Sequence, residues 1–464
     1  IFIINPKSST NKMGSKLIIY ELNELPRRLL EYYILINPDS NFKKFKLYGK
    51  DLDTFTTDSG ELHPWTTWPT FYRGVDNSKH KINSINQDID YEEKYPPIWK
   101  ILIKKNISIG IFGSLQSYPP LINKKVRFFL PDTFAPDYKA YPKQLETFQK
   151  FNLKIVENNS GEVRSIRGIE IKYLLDCIFN SSIRFNSIIE IIKQMLMEKI
   201  NKNFKKRRSL MQPKLSFDIY FRNLQKHKPD FSTFFTNHLA GMMHYYWLDV
   251  FPNDFKTPYR KACSFNKNSI IKALDIADKQ IGLLMNFATT NSYELWIASS
   301  MGQKAIERTK FQKLYIRDFK KIINFLKLNK KLYKLLPSMY PDINIESKSA
   351  LDMEILIEKM LRIKYSNNYQ SIFKIRYRRH TNKINFIFRT NLEKINYLIY
   401  DNNEIHIKEF GLEYGEDTQG TGYHTPHGIL LSLGKESQSV FEDLDVIDTK
   451  NIYSHILDIF KIKK

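Results

Sequence analysis

Cysteine is nearly absent: Cys177 and Cys263 are the two in 464 residues, far apart and without Cys-x-x-Cys spacing. That excludes a disulfide scaffold and a thiolate zinc finger, and it suits a reducing compartment, so a cytoplasmic location is favoured. The sequence opens on Ile1 rather than methionine, which leaves an upstream signal peptide open. No apolar run reaches the ~18 residues of a membrane span, so no transmembrane segment is expected. Acidic residues are also few, 49 Asp and Glu against 72 Lys and Arg, for a formal charge of +23. Such an excess suits an anionic partner. It is spread along the chain, with dense clusters only at Lys205-Lys206-Arg207-Arg208 and Arg376-Tyr377-Arg378-Arg379-His380, which read as solvated faces rather than a specific nucleic-acid surface. No stretch is Pro-, Gly- or Ser-rich enough for disorder, and no internal repeat is present; 42% hydrophobic and 14% aromatic content describe a folded chain.

Short apolar runs alternate with helical periodicity. Lys16–Tyr20, Ile107–Phe112, 231–235, Leu295–Ala298 and Ile429–Leu433 read as buried strands. Glu24–Ile36, 98–105, a segment through His244 and Trp247, and 270–286 read as helices. This alternation predicts a three-layer α/β fold with a mostly parallel central sheet and helices on both faces. Composition shifts after Gln303. Residues 309–335 are Lys-rich and helical in pattern, 351–363 form an amphipathic helix, and 382–410 read as short strands around Asp401-Asn402-Asn403. The expected organisation is a tail at 1–15, a core at 16–303 and 411–464, and an inserted basic α+β cap at 304–410.

Polar clusters follow several of the apolar runs, at Glu21, His63–Thr70, Thr236-Asn237-His238 and Ser299–Gly302. In an open α/β sheet, ligands bind where loops converge at the carboxyl ends of strands. Thr67 precedes Pro69, a residue that suits a first helical turn, so its hydroxyl would sit among unpaired backbone N–H groups that favour phosphate. The same placement suits a plain N-cap. His424 and His427 lie three apart in the Gly-rich segment Gly411–Gly428, and imidazoles there could hold a cation that activates a hydroxyl. Met242-Met243 reads as helix packing. Trp65, Trp68, Phe71 and Tyr72 could stack on a base or sugar or fill the core, and Asp275 and Asp278 read as surface or cap-facing charges.

In this order, Leu17–Glu21, Pro64–Ile82 with Thr67, Gly74 and His80, Phe231–Trp247, Ser299-Ser300-Met301-Gly302 and His424–Ile429 resemble the alkaline phosphatase superfamily, and within it the type I phosphodiesterase/nucleotide pyrophosphatase branch. The matches leave out about 130–215 and 304–410. The resemblance implies two divalent metals, usually zinc, around a nucleophile that attacks phosphorus and forms a covalent phospho-enzyme. It assigns Thr67 as the nucleophile, Glu21, His244 and His424 as metal ligands with His238 or Asn237 assisting, and Thr70 and His80 to the substrate.

Several positions depart from the pattern: Ala240 and Ser300-Met301 stand where ligands would, and Glu21 replaces an aspartate. One metal site is therefore expected rather than two. The sulfatase branch does not fit, because Thr67 cannot become formylglycine and Phe71 occupies the arginine position. The expected function is a metal-dependent phosphoester hydrolase or phosphoryl transferase acting on an anionic phosphodiester or a phosphorylated glycan or nucleotide. The alternative is a degenerate relative that binds a phosphorylated glycan or lipid head group without turnover.

Overall fold

Alternation along the apolar runs sets the layers. The computed structural model describes residues 15–85, 92–157, 172, 175–176, 183–258, 260–307, 314–336, 338, 342–378, 382–389, 393–414 and 420–463. Six strands of the central sheet are β1 (Leu17–Leu22), β2 (Lys50–Phe55), β3 (Ile109–Phe112), β4 (Val126–Leu130), β5 (Phe231–Thr236) and β6 (Glu294–Ala298). With His427–Leu433 and Val446–Asp448 they form an eight-stranded sheet, ordered Val446–Asp448, β2, His427–Leu433, β6, β1, β5, β3, β4. His427–Leu433 runs antiparallel to both of its neighbours and the other strands share one direction.

Because side chains alternate across a strand, β1 feeds two cores. Ile18, Tyr20 and Leu22 join an apolar cluster with the helices Arg27–Ile36, Gln212–His227, His238–Val250 and Ser264–Asn291. Leu17 and Ile19 face the opposite layer, built by Pro64–Arg73, Ile98–Lys104 and Ile452–Ile459. The α/β architecture with a mostly parallel sheet between helical layers is as the sequence predicted.

Three local readings change. The first helix begins at Arg27, not Glu24, because Pro26 disfavours helical backbone in the residue before it. Glu24 instead sits in the left-handed region at φ 63°. The helix expected to begin near Pro69 begins at Pro64, with His63 as N-cap, and every one of its residues is buried. Within Gly411–Gly428, Leu412–Tyr414 and Gly422–Thr425 are strands, the latter paired with β7 (Gly302–Ala305).

Apolar residues from Leu314 to Leu412 pack as a third cluster. It surrounds a four-stranded antiparallel sheet and the helix Ala350–Leu361. Among its described residues the Lys-rich stretch is helical over Phe319–Phe325, between the strands Leu314–Ile316 and Tyr333–Leu336. Asp401 and Asn402, both at positive φ, turn the hairpin Tyr397–Tyr400 to Asn403–His406. The expected tail up to residue 14, and Arg379 and His380 of the second basic cluster, lie outside the described residues. No described helix is long and apolar enough to cross a membrane.

Candidate metal centre

The carboxyl ends of β1, β5 and β6 deliver a connected set of polar side chains. After β1 the chain turns through Asn23 and Glu24, and the positive φ at Glu24 is a conformation that costs a non-glycine residue on the order of 1–3 kcal/mol. In that conformation the Glu24 carboxylate meets His244 and His424. Glu24 Oε2 lies 3.3 Å from His244 Nε2 and 3.5 Å from His424 Nε2. One ligand atom from each of the three residues falls within 4.8 Å of the others. Glu24 is buried and His424 keeps only 8% of its side chain exposed, whereas His244 keeps 29%, so the cluster opens to solvent on that side.

Backbone and side-chain contacts orient each ligand. His244 Nδ1 pairs with the Gly422 carbonyl at 3.0 Å, which makes Nδ1 the donor and turns Nε2 toward Glu24. Imidazoles that bind metals are held in this way by an outer partner. His424 stands opposite Gln303 in the pairing of Gly422–Thr425 with β7. Gln303 Nε2 donates to Glu24 Oε2 and, at 3.1 Å, to the Ala240 carbonyl. Asn23 Nδ2 donates to Glu24 Oε1 at 2.9 Å and to Asn237 Oδ1 at 2.6 Å, and Asn23 Oδ1 accepts from Trp68 Nε1 at 2.9 Å. Burial by itself would raise the Glu24 carboxyl, but His424 and His244 hold it well below the usual range. Burial would lower the His424 imidazole, and Glu24 reverses that to a net rise. Two imidazoles and a carboxylate form the donor set of one-metal hydrolytic centres, and these residues fit a single divalent cation.

The predicted ligands divide. His244 and His424 meet; Asn237 reaches the centre only through Asn23. His238 turns away, its Nδ1 paired with Thr236 Oγ1 at 2.7 Å and its Nε2 with the Ala273 carbonyl at 2.9 Å. Burial pushes its pKa down to about 4. Glu21 is not in the cluster. The period of two places it on the Leu17 and Ile19 side of β1, where Oε1 accepts from Tyr72 at 2.7 Å and Ser114 at 2.5 Å. Burial raises its pKa to about 8. The carboxylate of the centre is therefore Glu24, and the sequence signal for it was the polar pair Asn23-Glu24 that Pro26 forces into a turn at the end of β1.

Thr67 is fully buried and its Oγ1 lies 2.7 Å from Ser300 Oγ. Thr70 and His80 do come together, but around Asp58. The Ile82 N–H donates to His80 Nδ1 at 3.0 Å, so His80 Nε2 donates to Thr70 Oγ1 at 2.9 Å, and Thr70 donates to Asp58 Oδ1 at 2.7 Å. Burial and then nearby Arg73 push the His80 pKa down to about 3, so the ring is neutral. His63, which the sequence placed in a polar cluster without a role, also lies here. Its ring stacks on Trp65 at 4.3 Å and meets the His424 ring edge-on at 5.6 Å. Trp65 also lines a cavity of about 300 Å³ with Gln116, Tyr118, Asp132, Phe134 and Lys383.

No family model and no curated protein matches the sequence. Solved structures do resemble the whole chain. Murine ectonucleotide pyrophosphatase/phosphodiesterase 5 aligns at 11% identity and a TM-score of 0.36, over 97% of this chain and 96% of that one. The human counterpart aligns at 11% identity with a TM-score of 0.38 and the same coverage. An inactive murine variant in complex with AMP aligns at 10% and 0.38, again over 97% and 96%. The residue assignments above rest on this chain's own geometry.

Proposed function

We propose that the chain is a phosphoester hydrolase or phosphoryl transferase that works with one divalent cation, held by Glu24, His244 and His424. The supporting observation is the convergence of one carboxylate and two imidazole nitrogens, with His244 already turned by Gly422 so that its Nε2 faces the site. A divalent cation at such a centre neutralises phosphoryl oxygens and lowers the pKa of a nearby hydroxyl. Gln303 and Asn23 hold the Glu24 carboxylate in place. Thr67 is the proposed nucleophile. Its hydroxyl oxygen would form the bond to phosphorus while the ester oxygen leaves, and Ser300 would orient it. The cavity beside Trp65 has room for the organic part of an anionic phosphorylated substrate.

Turnover of an aryl phosphodiester should fall about 10³-fold or more in Thr67→Ala and recover in part in Thr67→Ser. Undiminished turnover in Thr67→Ala would remove Thr67 from the chemistry. A second reading, binding of a phosphorylated ligand without turnover, draws support from the complete burial of Thr67 and from Ala240, Ser300 and Met301 at ligand positions. Saturable binding of a phosphodiester by wild-type protein that shows no turnover would favour it.

A further inference from the structure

The helix Phe185–Ile200 is inside out. At 100° per residue, Phe185, Ile189, Ile192, Leu196 and Ile200 fall within an arc of about 80°. That arc faces solvent: Phe185 is 74% exposed, Ile192 51%, Leu196 53% and Ile200 77%. The opposite face holds Ser187, Ile191 and Gln194, which are buried, together with Glu198. A helix on a globular surface normally does the reverse.

Polar contacts fix this rotation. Arg184 at the helix start pairs with Asp218 and Glu190 with Lys214. Gln194 Nε2 donates to the Phe204 carbonyl at 2.7 Å and Glu198 pairs with Arg208. The apolar arc therefore cannot turn inward without breaking contacts along the whole inner face. Lys193, Lys199, Lys202 and Lys206 are exposed on and beside the same helix, whereas its acids, Glu190 and Glu198, are paired with Lys214 and Arg208.

We propose that this face is a membrane contact, with the apolar arc seated at the acyl boundary of an anionic lipid surface and the lysines on its head groups. An exposed apolar stripe flanked by cations is the pattern of helices that lie in a membrane interface. Two copies packed face to face would bring the same lysines together, whereas anionic lipid neutralises them. The inference does not depend on the catalytic reading.

Co-sedimentation of the full chain with phosphatidylcholine vesicles, with and without phosphatidylserine, tests it. The bound fraction should rise by about tenfold or more with the anionic lipid and fall at high salt. It should be lost in Phe185→Ser/Ile192→Ser/Leu196→Ser, whose circular dichroism and melting should match wild type because the replaced side chains are exposed. Lys193→Glu/Lys199→Glu/Lys202→Glu should lose the preference for anionic lipid. The proposal is overturned if wild type stays in the supernatant, or if the triple serine variant pellets equally well. It is also overturned if light scattering finds a dimer that the serine variant abolishes while vesicles bind nothing, which would give the face to a second copy.

Discussion

Glu21 should impose a pH-dependent cost on stability that Glu21→Gln removes. Its carboxyl is fully buried, with Tyr72 and Ser114 donating to Oε1 and no hydrogen-bond donor to Oε2 among the described residues. Burial raises its pKa from 4.5 to about 8. Below the lower value both folded and unfolded chains carry the proton, and Glu21 adds no pH-dependent term. As pH rises further, the unfolded chain releases the proton while the folded chain keeps it, so stability falls by ~1.4 kcal/mol per pH unit until the folded pKa is reached. The cost is below about 1 kcal/mol near pH 5 and about 4 kcal/mol near pH 8. Glutamine keeps the Oε1 acceptor and cannot ionise. Urea unfolding of both proteins at the two pH values isolates the term, because every other titrating group is common to them and cancels. The variant should gain about 3 kcal/mol on wild type between pH 5 and pH 8. A difference between the two proteins that stays constant with pH would refute a buried, protonated Glu21.

Gly422→Ala should weaken metal binding. A Cβ there would lie 2.5 Å from the Met243 carbonyl oxygen and 2.6 Å from Gln303 Oε1, so the strand must shift and carry its carbonyl off His244 Nδ1. Loss of such an outer partner costs ~10–100-fold in metal affinity, readable by calorimetry; unchanged affinity would deny the carbonyl its orienting role. Thr70→Val should lower stability by about 1–3 kcal/mol, because it strands Nε2 of buried His80 and takes one donor from half-buried Asp58, while KM for a phosphodiester stays put. A raised KM at unchanged stability would instead return Thr70 to the substrate.

Pattern alone identified the layers and most strands, because burial on both faces leaves continuous apolar runs that need no tertiary knowledge to read. His244 and His424 were also legible from their places after a strand and near the last one. The carboxylate was not. Choosing between Glu21 and Glu24 needed the strand's end and its phase, and both follow from Pro26 and the period of two rather than from residue type. His238 was expected to assist His244, yet first position on the helix His238–Val250 aims it at Ala273. Gln303, Asn23 and Ser300 carry no chemical signature of their own, and only the packing of β7 against Gly422–Thr425 and of the Thr67 helix against β6 brings them in. The outward apolar face of Phe185–Ile200 was invisible for the same reason: periodicity shows that a stripe exists, and only tertiary ion pairs show which way it points.

The most direct test of the centre is a zinc titration of metal-stripped protein by isothermal calorimetry, run on wild type, Glu24→Gln and Glu21→Gln. Wild type and Glu21→Gln should each bind one ion per chain with similar affinity, and Glu24→Gln should lose more than the ~10–100-fold that an outer partner is worth. Tight binding that survives Glu24→Gln, or that disappears with Glu21→Gln, would contradict the placement of the cation between Glu24, His244 and His424.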